Sequence, residues 1–240
     1  MAVAALLDPP IAFAHRGGCA HAPENTLEAF RLARRLGATG LESDVWLTAD
    51  GIPVLDHNGV VRAGVRRHHI GTRSRASLPR HIPSLEDLYE TCGTDFELSL
   101  DIKDGVSAQA VVAVARAAGS DAEGRLWLCH PSEERVASWR QLSDRAHLVH
   151  STRLRHMRQG PERLAAQLAA SGVDAVNLHY TDWTGGLTTL FHRFGRFAFG
   201  WDAQHERILR DLLRMGVDGV YSNWVDRMVD VLGARDAREE

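Results

Sequence analysis

Residues 26–45, TLEAFRLARRLGATGLESDV, contain the unit from which the fold is built. Leucine, alanine and phenylalanine recur at helical spacing over 26–36, and Gly37 stands where such a helix should stop. The run 40–45 that follows has the length and composition of a strand. A helix that leads within a few residues into a strand indicates a chain made of βα repeats.

The same alternation continues on both sides of this stretch. We predict strands at Ile11–Ala14, Gly40–Val45, Phe96–Ile102, Leu126–Cys129, His147–His150, Ala175–Leu178, Phe197–Gly200 and Gly219–Tyr221. Predicted helices cover Thr26–Leu36, Leu85–Thr91, Ala108–Ala118, Glu133–Leu142, Glu162–Ser171, Leu187–Phe194, His205–Met215 and Val225–Leu232. Eight repeats close a parallel barrel, so the prediction is an α/β fold, a (β/α)8 TIM-type barrel forming one domain over residues 1–240. An open doubly wound sheet is the alternative, but no GxGxxG follows a predicted strand.

Composition excludes several classes of protein. The 240 residues carry 28 Lys+Arg and 31 Asp+Glu, a net charge of −3, which argues against nucleic acid as a bulk partner. No apolar run reaches the roughly 20 residues of a membrane-spanning helix. The apolar run at 1–7 is too short for a secretory signal, and three scattered cysteines suit a reducing compartment, so we expect a cytoplasmic protein. The oligomeric state does not follow from the sequence.

Ionisable residues cluster at the ends of three predicted strands. His15 and Arg16 follow the first strand, Glu42 and Asp44 lie in the second, and Asp101 ends the third, with Lys103, the only lysine, just beyond it. In barrel enzymes the carboxyl ends of strands build the active site. Three carboxylates gathered there would repel one another unless a cation binds them, and Mg²⁺ or Ca²⁺ suits oxygen ligands. The alternative interpretation is that Glu42 and Asp44 are surface carboxylates paired with arginine.

A hairpin is predicted directly after the second strand. Asp50-Gly51 predicts a two-residue hairpin turn, and in that register His57 would face Asp44 and bring a second imidazole to the carboxylates. Two imidazoles beside a cation suit phosphodiester cleavage, one removing a proton from the attacking hydroxyl and the other protonating the leaving alkoxide.

Roughly 40 residues then separate this strand from the helix at Leu85, where about 2–6 are usual, so we predict an insertion or cap at 59–83. Its arginines make it either a cationic lid over an anionic substrate or a solvated cap.

Helix starts are marked as well. Asn25 with Glu28 predicts a capping box before the first helix, and Ser84 after Pro83 predicts the cap of the second.

The ordered motifs resemble those of the glycerophosphodiester phosphodiesterase family. The resemblance rests on His15-Arg16-Gly17-Gly18, Ala22-Pro23-Glu24-Asn25-Thr26, Glu42-x-Asp44, Thr48-x-Asp50-Gly51-x-Pro53-Val54 and His57, with weaker echoes near Asp101-Ile102-Lys103 and Gly200-Trp201. It implies a (β/α)8 barrel that hydrolyses a small-molecule phosphodiester to glycerol 3-phosphate and an alcohol, using Ca²⁺ or Mg²⁺.

Residue roles are carried over by position. His15 and His57 would be the acid–base pair, and Glu42, Asp44 and Asp101 the ligands of one divalent cation; Asp101 stands where the family usually has Glu. Arg16 and Lys103 would hold the phosphate, and Trp201 would line the pocket. Ser222-Asn223-Trp224 stands where Thr-Asp-Tyr-Pro is common. The alternatives are a phosphodiesterase of the same fold that acts on lysophospholipids or another sugar-phosphate ester, and an inactive barrel that binds phosphate ligands.

Overall fold

Eight parallel strands close into a barrel in the computed structural model, which describes residues 3–63 and 66–236. The strands of the chain are β1 (Ile11–Ala14), β2 (Gly40–Leu47), β3 (Pro53–Leu55), β4 (Val60–Ala63), β5 (Arg66–His69), β6 (Glu97–Ile102), β7 (Leu126–His130), β8 (His147–Thr152), β9 (Ala175–His179), β10 (Phe197–Trp201) and β11 (Gly219–Ser222). β1 pairs in parallel with both β2 and β11, which closes the ring. The predicted barrel and its eight strands are confirmed, most of them with ends one or two residues further along.

Helices cover the outside of the barrel. They are α1 (Leu27–Arg35), α2 (Leu85–Cys92), α3 (Ala108–Ala118), α4 (Ser120–Gly124), α5 (Glu133–Ser138), α6 (Pro161–Ala170), α7 (Gly185–Arg193), α8 (Glu206–Arg214) and α9 (Val225–Asp236). The eight predicted helices are present, although α5 gives way at residue 139 to a 3-10 turn, Trp139–Gln141. The five-residue α4 was not predicted.

The barrel interior is apolar in its lower half and polar at its mouth. Phe13, Phe199 and Tyr221 fill the lower half, with the Phe13 and Tyr221 rings stacked at a centroid distance of 4.6 Å. A larger apolar layer lies between the barrel wall and the helices. Because the aromatic plug closes the interior from below, the polar side chains at the carboxyl ends of the strands face one open end.

Helix starts follow hydroxyl caps. Ser84 accepts from the Asp87 backbone N–H while the Asp87 carboxylate accepts from that of Ser84, so the predicted cap of α2 is a capping box. The capping box predicted at Asn25 is wrong, because Thr26 caps α1 by accepting from the Ala29 N–H at 3.2 Å. Asn25 lies outside the helix at φ +55°.

The hairpin that joins β2 and β3 is one residue out of the predicted register. Val45 pairs with Leu55 and Leu47 with Pro53, and the backbone N–H of Asp56 donates to the Asp44 carbonyl at 3.0 Å. The reason is a loop of three residues rather than two, closed by Thr48 N–H to Ile52 O at 3.0 Å, with Gly51 at φ +79°. Asp56, not His57, therefore lies opposite Asp44.

The described residues of the insertion after β3 form a ribbon and a small core at the carboxyl end of β2. β4 and β5 form an antiparallel ribbon that the sequence pattern did not predict, because arginine and histidine occupy its second strand. Beneath it lies a small apolar cluster of Val54, Val61, Ile70, Leu78 and Ile82, with Trp46 packed against it. The insertion thus has a core of its own on the same end of the barrel as the polar mouth.

Candidate active site

A cavity of about 330 Å³ opens at the carboxyl end of the barrel. Its lining contains seven of the eight predicted site residues: His15, Arg16, Glu42, Asp44, Asp101, Lys103 and Trp201. They come from β2, β6 and β10, from the segment after β1 and, for Lys103, from the position just after β6, so the closed ring brings together residues that are up to 186 positions apart (201 − 15). His57 is the predicted residue outside this lining.

Three carboxylates form the centre of the cavity. Glu42, Asp44 and Asp101 each present an oxygen within 4.8 Å of the other two. Asp44 and Asp101 are direct neighbours in the parallel register of β2 and β6. Glu42 is 5% exposed and Asp44 3%, so these two are not the surface carboxylates of the alternative interpretation.

The clustering changes the protonation of these groups. Burial raises the pKa of Glu42 well above its usual value, and the neighbouring charges of Asp44 and Asp101 raise it further. The pKa of Asp101 is also raised, mainly because burial disfavours its charged form, although the nearby Lys103 ammonium acts to lower it. The Lys103 ammonium lies 2.7 Å from Asp44 and 3.2 Å from Asp101. Burial lowers the pKa of Lys103, but these two carboxylates raise it more, so the ammonium stays charged.

This donor set fits a hard divalent cation. It consists of three carboxylates whose mutual repulsion is only partly offset by the Lys103 ammonium and the Arg16 guanidinium, and oxygen is the ligand atom that Mg²⁺ and Ca²⁺ prefer. Asp101 reaches the group although it is one methylene shorter than the usual glutamate. The residues present can therefore hold such an ion.

A tight turn after β1 brings Arg16 to the carboxylates. Arg16 adopts a left-handed conformation (φ +52°), and its backbone N–H donates to Glu42 Oε2 at 2.8 Å. Its guanidinium donates to Glu24 at 2.7 Å and lies 3.5 Å from Asp44. At Gly18 (φ +78°) a Cβ would lie 2.5 Å from Val225, so this position requires glycine. Gly18 thus allows α9, which begins at Val225, to pack tightly against the turn.

His15 is oriented by a hydrogen-bond chain that the sequence did not reveal. Its Nδ1 lies 2.6 Å from Asn223 Oδ1, and because that oxygen is an acceptor, the neutral ring donates from Nδ1 and has its lone pair on Nε2. Nε2 is 3.8 Å from Glu42. The Asn223 backbone N–H donates in turn to Gln204 Oε1 at 2.9 Å, which anchors the segment after β11 to the segment after β10.

Sequence reasoning missed five residues of the lining. They are Ser151, Asn177, Asp202, Gln204 and Tyr221. Ser151 and Asn177 share the inward-facing parity of their strands, a signal that strand alternation could have supplied. The Asn177 Oδ1 is buried and accepts no hydrogen bond within the described chain, so it is an acceptor aimed at whatever fills the cavity.

A second cavity of about 580 Å³ adjoins the first. Ser151 and Trp201 line both. Beyond them its wall is formed by Thr152 at the end of β8 and by the segments that follow β7 and β8, where polar side chains such as Arg153 and Gln159 stand beside apolar ones such as Met157 and Leu164. The two cavities together offer space for two parts of one molecule, on either side of Trp201.

His57 lies two residues beyond β3 and is half-buried. The shifted hairpin register explains why it does not stand opposite Asp44. Its assignment as second imidazole stays a prediction.

The closed barrel, with carboxylates, an imidazole and two cations at one mouth, has the features of a (β/α)8 enzyme that acts on an anionic substrate. The sequence profile of the glycerophosphoryl diester phosphodiesterase family matches residues 15–227, and the chain belongs to this family. Enzymes of this family are phosphoric diester hydrolases.

Individual relatives agree with this assignment. The chain is 29% identical over 265 aligned residues to a probable glycerophosphodiester phosphodiesterase 2 of Mycobacterium tuberculosis, covering 94% of this chain and 91% of that protein. A stretch of 50 residues is 60% identical to human glycerophosphodiester phosphodiesterase 1, but it spans only 21% of this chain and 15% of the human protein.

Solved structures share the fold. A putative glycerophosphoryl diester phosphodiesterase from Silicibacter pomeroyi superimposes with a TM-score of 0.80 at 20% identity, covering 98% of this chain and 94% of the other. An Oleispira antarctica phosphodiesterase, solved with its product sn-glycerol-3-phosphate, gives a TM-score of 0.78 at 20% identity over 93% and 97% of the two chains. Within the residues the structure describes, no helix is long and apolar enough to cross a bilayer.

Proposed function

We propose that this protein hydrolyses glycerophosphodiesters to glycerol 3-phosphate and an alcohol at the cavity that contains Glu42, Asp44 and Asp101. The observation that carries the proposal is the convergence of seven predicted site residues on one cavity of a family-typical barrel. These three carboxylates would hold one divalent cation, Mg²⁺ or Ca²⁺. When bound, such an ion polarises the phosphoryl oxygens and neutralises charge that develops on them.

The protein's own residues supply proton transfer. The Asn223 contact leaves His15 Nε2 free to take a proton from the attacking hydroxyl or to return one to the leaving alkoxide. We assign the complementary step to His57, which would need to turn toward the cavity when substrate binds.

Cationic side chains would hold the phosphodiester. Arg16 and Lys103 both line the cavity and remain charged, so they can pair with the phosphoryl oxygens. Three carboxylates, a divalent ion, the phosphodiester, Arg16 and Lys103 sum to zero formal charge, which supports this assignment.

The adjoining cavity would take the alcohol half of the substrate. Thr152, Arg153 and Gln159 in its wall can hydrogen-bond the hydroxyl or amine groups of a small alcohol, which supports glycerophosphodiesters as substrates. Trp201, shared by both cavities, would separate the two halves of the substrate. The three cysteines are free thiols, which is consistent with a cytoplasmic location.

The test is hydrolysis of soluble glycerophosphodiesters by the purified protein. We expect His15→Ala and His57→Ala each to lower kcat by about 10²–10⁴ while the circular dichroism spectrum stays native. Removal of divalent ions with a chelator should abolish turnover, and adding them back should restore it. Full activity in chelator would exclude a catalytic role for the metal. Wild-type turnover in His57→Ala would exclude only the proposed catalytic role of His57. Faster turnover of lysophospholipids than of soluble diesters would favour the alternative substrate class.

A further inference from the structure

The insertion carries an unusual concentration of positive charge. Residues 59–83, here called the basic cap, contain Arg62, Arg66, Arg67, Arg73, Arg75 and Arg80 and no acidic residue. The cap therefore holds a formal +6, while the rest of the chain has 22 basic and 31 acidic side chains and a formal −9. A separation of charge this large orients a molecule in the field of an anionic partner.

The protein does not neutralise these arginines itself. Arg75 pairs with Asp87 at 3.1 Å, and within the described chain the other five make no ion pair. Arg62 and Arg67 stand directly opposite each other in the β4–β5 ribbon. Like charges at such a position destabilise a ribbon, so the arrangement calls for an external anion.

The cap is not a wall of the catalytic cavity. The described cap residues contribute nothing to the lining of either cavity at the mouth. To touch substrate as a lid, the cap would have to move toward the cavity. To present a charged surface beside the mouth, it needs no movement.

Three of the four large apolar side chains that are exposed in the described chain lie on the same end of the molecule as the cap. Four large apolar side chains are exposed in the described chain: Leu6 at 46%, Ile52 at 37%, Val106 at 66% and Leu154 at 39%. The last three lie on segments that follow β2, β6 and β8, all at the mouth end, whereas Leu6 precedes β1.

Two hydrogen bonds join the segments that carry Ile52 and Val106 to each other and to the cap. The Leu47 N–H donates to Asp104 at 2.7 Å, which ties the β2 hairpin to the loop that carries Val106. The Ala49 N–H donates to the carbonyl of Arg73 at 2.9 Å, which ties the same hairpin to the cap.

We propose that the mouth end of the barrel docks onto an anionic lipid bilayer, with the basic cap facing the phosphate headgroups and Ile52, Val106 and Leu154 entering the interface. Clustered arginines beside exposed apolar side chains match such an interface, whose headgroups are negative and whose interior is apolar. A nucleic acid would pair with the arginines but would leave the apolar side chains without a favourable contact. The proposal does not rest on the hydrolytic activity proposed above, because vesicle binding is measured without turnover, but docking in this way would bring the catalytic cavity close to the bilayer.

The experiment is co-sedimentation with vesicles made of equal parts phosphatidylglycerol and phosphatidylcholine, at about 0.1 M salt. We expect the wild-type protein to bind these vesicles, to bind pure phosphatidylcholine vesicles far less, and to be released as salt rises. Each arginine near an anionic surface contributes roughly fivefold to partitioning, so Arg62→Ser/Arg66→Ser/Arg67→Ser should bind about 100-fold more weakly.

Matched controls separate position from total charge. Arg31→Ser/Arg163→Ser/Arg207→Ser removes three exposed arginines from helices outside the cap and should bind as the wild type does. Val106→Ser should weaken binding by roughly fivefold, whereas Leu6→Ser, at the other end of the barrel, should leave it unchanged. Thermal unfolding shows that each variant is folded, and Arg66→Ser alone, with an expected loss of roughly fivefold, serves if the triple variant does not fold.

Three results would overturn the proposal. The first is a wild-type protein that does not bind the anionic vesicles. The second is equal binding by the cap variant and its control. The third is cap-dependent binding to an RNA or DNA duplex without binding to vesicles, which would identify a nucleic acid as the partner.

Discussion

At the scale of single residues, the site gathers three mutually repelling carboxylates around one attracting ammonium, that of Lys103. Glu42, Asp44 and Asp101 share one small volume, and burial together with mutual repulsion raises the pKa of Glu42. Lys103 suits the remaining space because its ammonium is compact and contacts two carboxylates at once. In a chain that otherwise uses arginine, this contact gives a physical reason for its single lysine.

Asn223 is expected to support catalysis without touching the substrate. Asn223→Ala removes the acceptor that fixes the His15 tautomer, and we expect kcat to fall about 10–100-fold. Asn223→Asp keeps an acceptor at the same position and should retain most of the activity. Steady-state kinetics of the two variants checks this, and an alanine variant as active as the wild type would show that the contact does not matter.

His150 should make stability depend on pH. Burial lowers its pKa to about 4 from 6.5, so below pH 6.5 the unfolded chain gains a proton that the folded chain does not take up. At pH 4 this one group should cost about 3 kcal/mol of stability, while above pH 6.5 it should cost nothing.

The measurement is urea unfolding of wild type and His150→Gln between pH 7 and pH 4. The variant should lose less stability over this range, by about 3 kcal/mol. Parallel losses in both proteins would show that His150 is not the group responsible.

At the scale of elements, tight turns decide where the functional side chains lie. The turn after β1 requires glycine at position 18 for two reasons: φ is +78°, and a Cβ would lie 2.5 Å from Val225. Gly51, in the β2–β3 loop, has nearly the same φ of +79° but nothing within 4 Å of its Cβ position. Substitutions at Gly51 and Gly18 therefore distinguish the cost of left-handed backbone, which both incur, from the cost of steric crowding, which only Gly18 incurs.

Gly18→Ala is expected to destabilise the protein more than Gly51→Ala. Left-handed backbone costs a non-glycine residue about 1–2 kcal/mol, which both variants incur, and overpacking adds roughly 1–3 kcal/mol at Gly18 alone. The free energy of unfolding in urea gives the difference. Equal losses at the two sites would mean that α9 shifts freely away from the turn.

The strands and most helices of the barrel could be predicted from the sequence, but the loop geometry, the ribbon of the insertion and α4 could not. The strands and helices of the barrel follow from apolar spacing and from stops such as Gly37. The β2–β3 register was missed by one residue, because Asp50-Gly51 fits both a two-residue and a three-residue loop. The ribbon of the insertion was missed because its arginines and histidines carry no alternating apolar pattern.

At the scale of the whole molecule, closing the ring creates the site. Seven predicted residues line one cavity because parallel strands end at the same mouth, a rule that needs only the strand assignments. The Asn223–Gln204 contact was not predicted, because it joins segments that only the closed ring brings together, whereas Ser151 and Asn177 were missed although strand alternation places them on the inward face. Charge is also uneven at this scale, since the basic cap and the three exposed apolar side chains occupy the mouth end.

The most direct test of the account is a crystal structure of the protein with a divalent cation and glycerol 3-phosphate. We predict one ion within about 2.0–2.6 Å of oxygens from Glu42, Asp44 and Asp101, with the phosphate beside Arg16, Lys103 and His15. An ion bound elsewhere, or a phosphate outside this cavity while the three carboxylates stay free, would contradict the account.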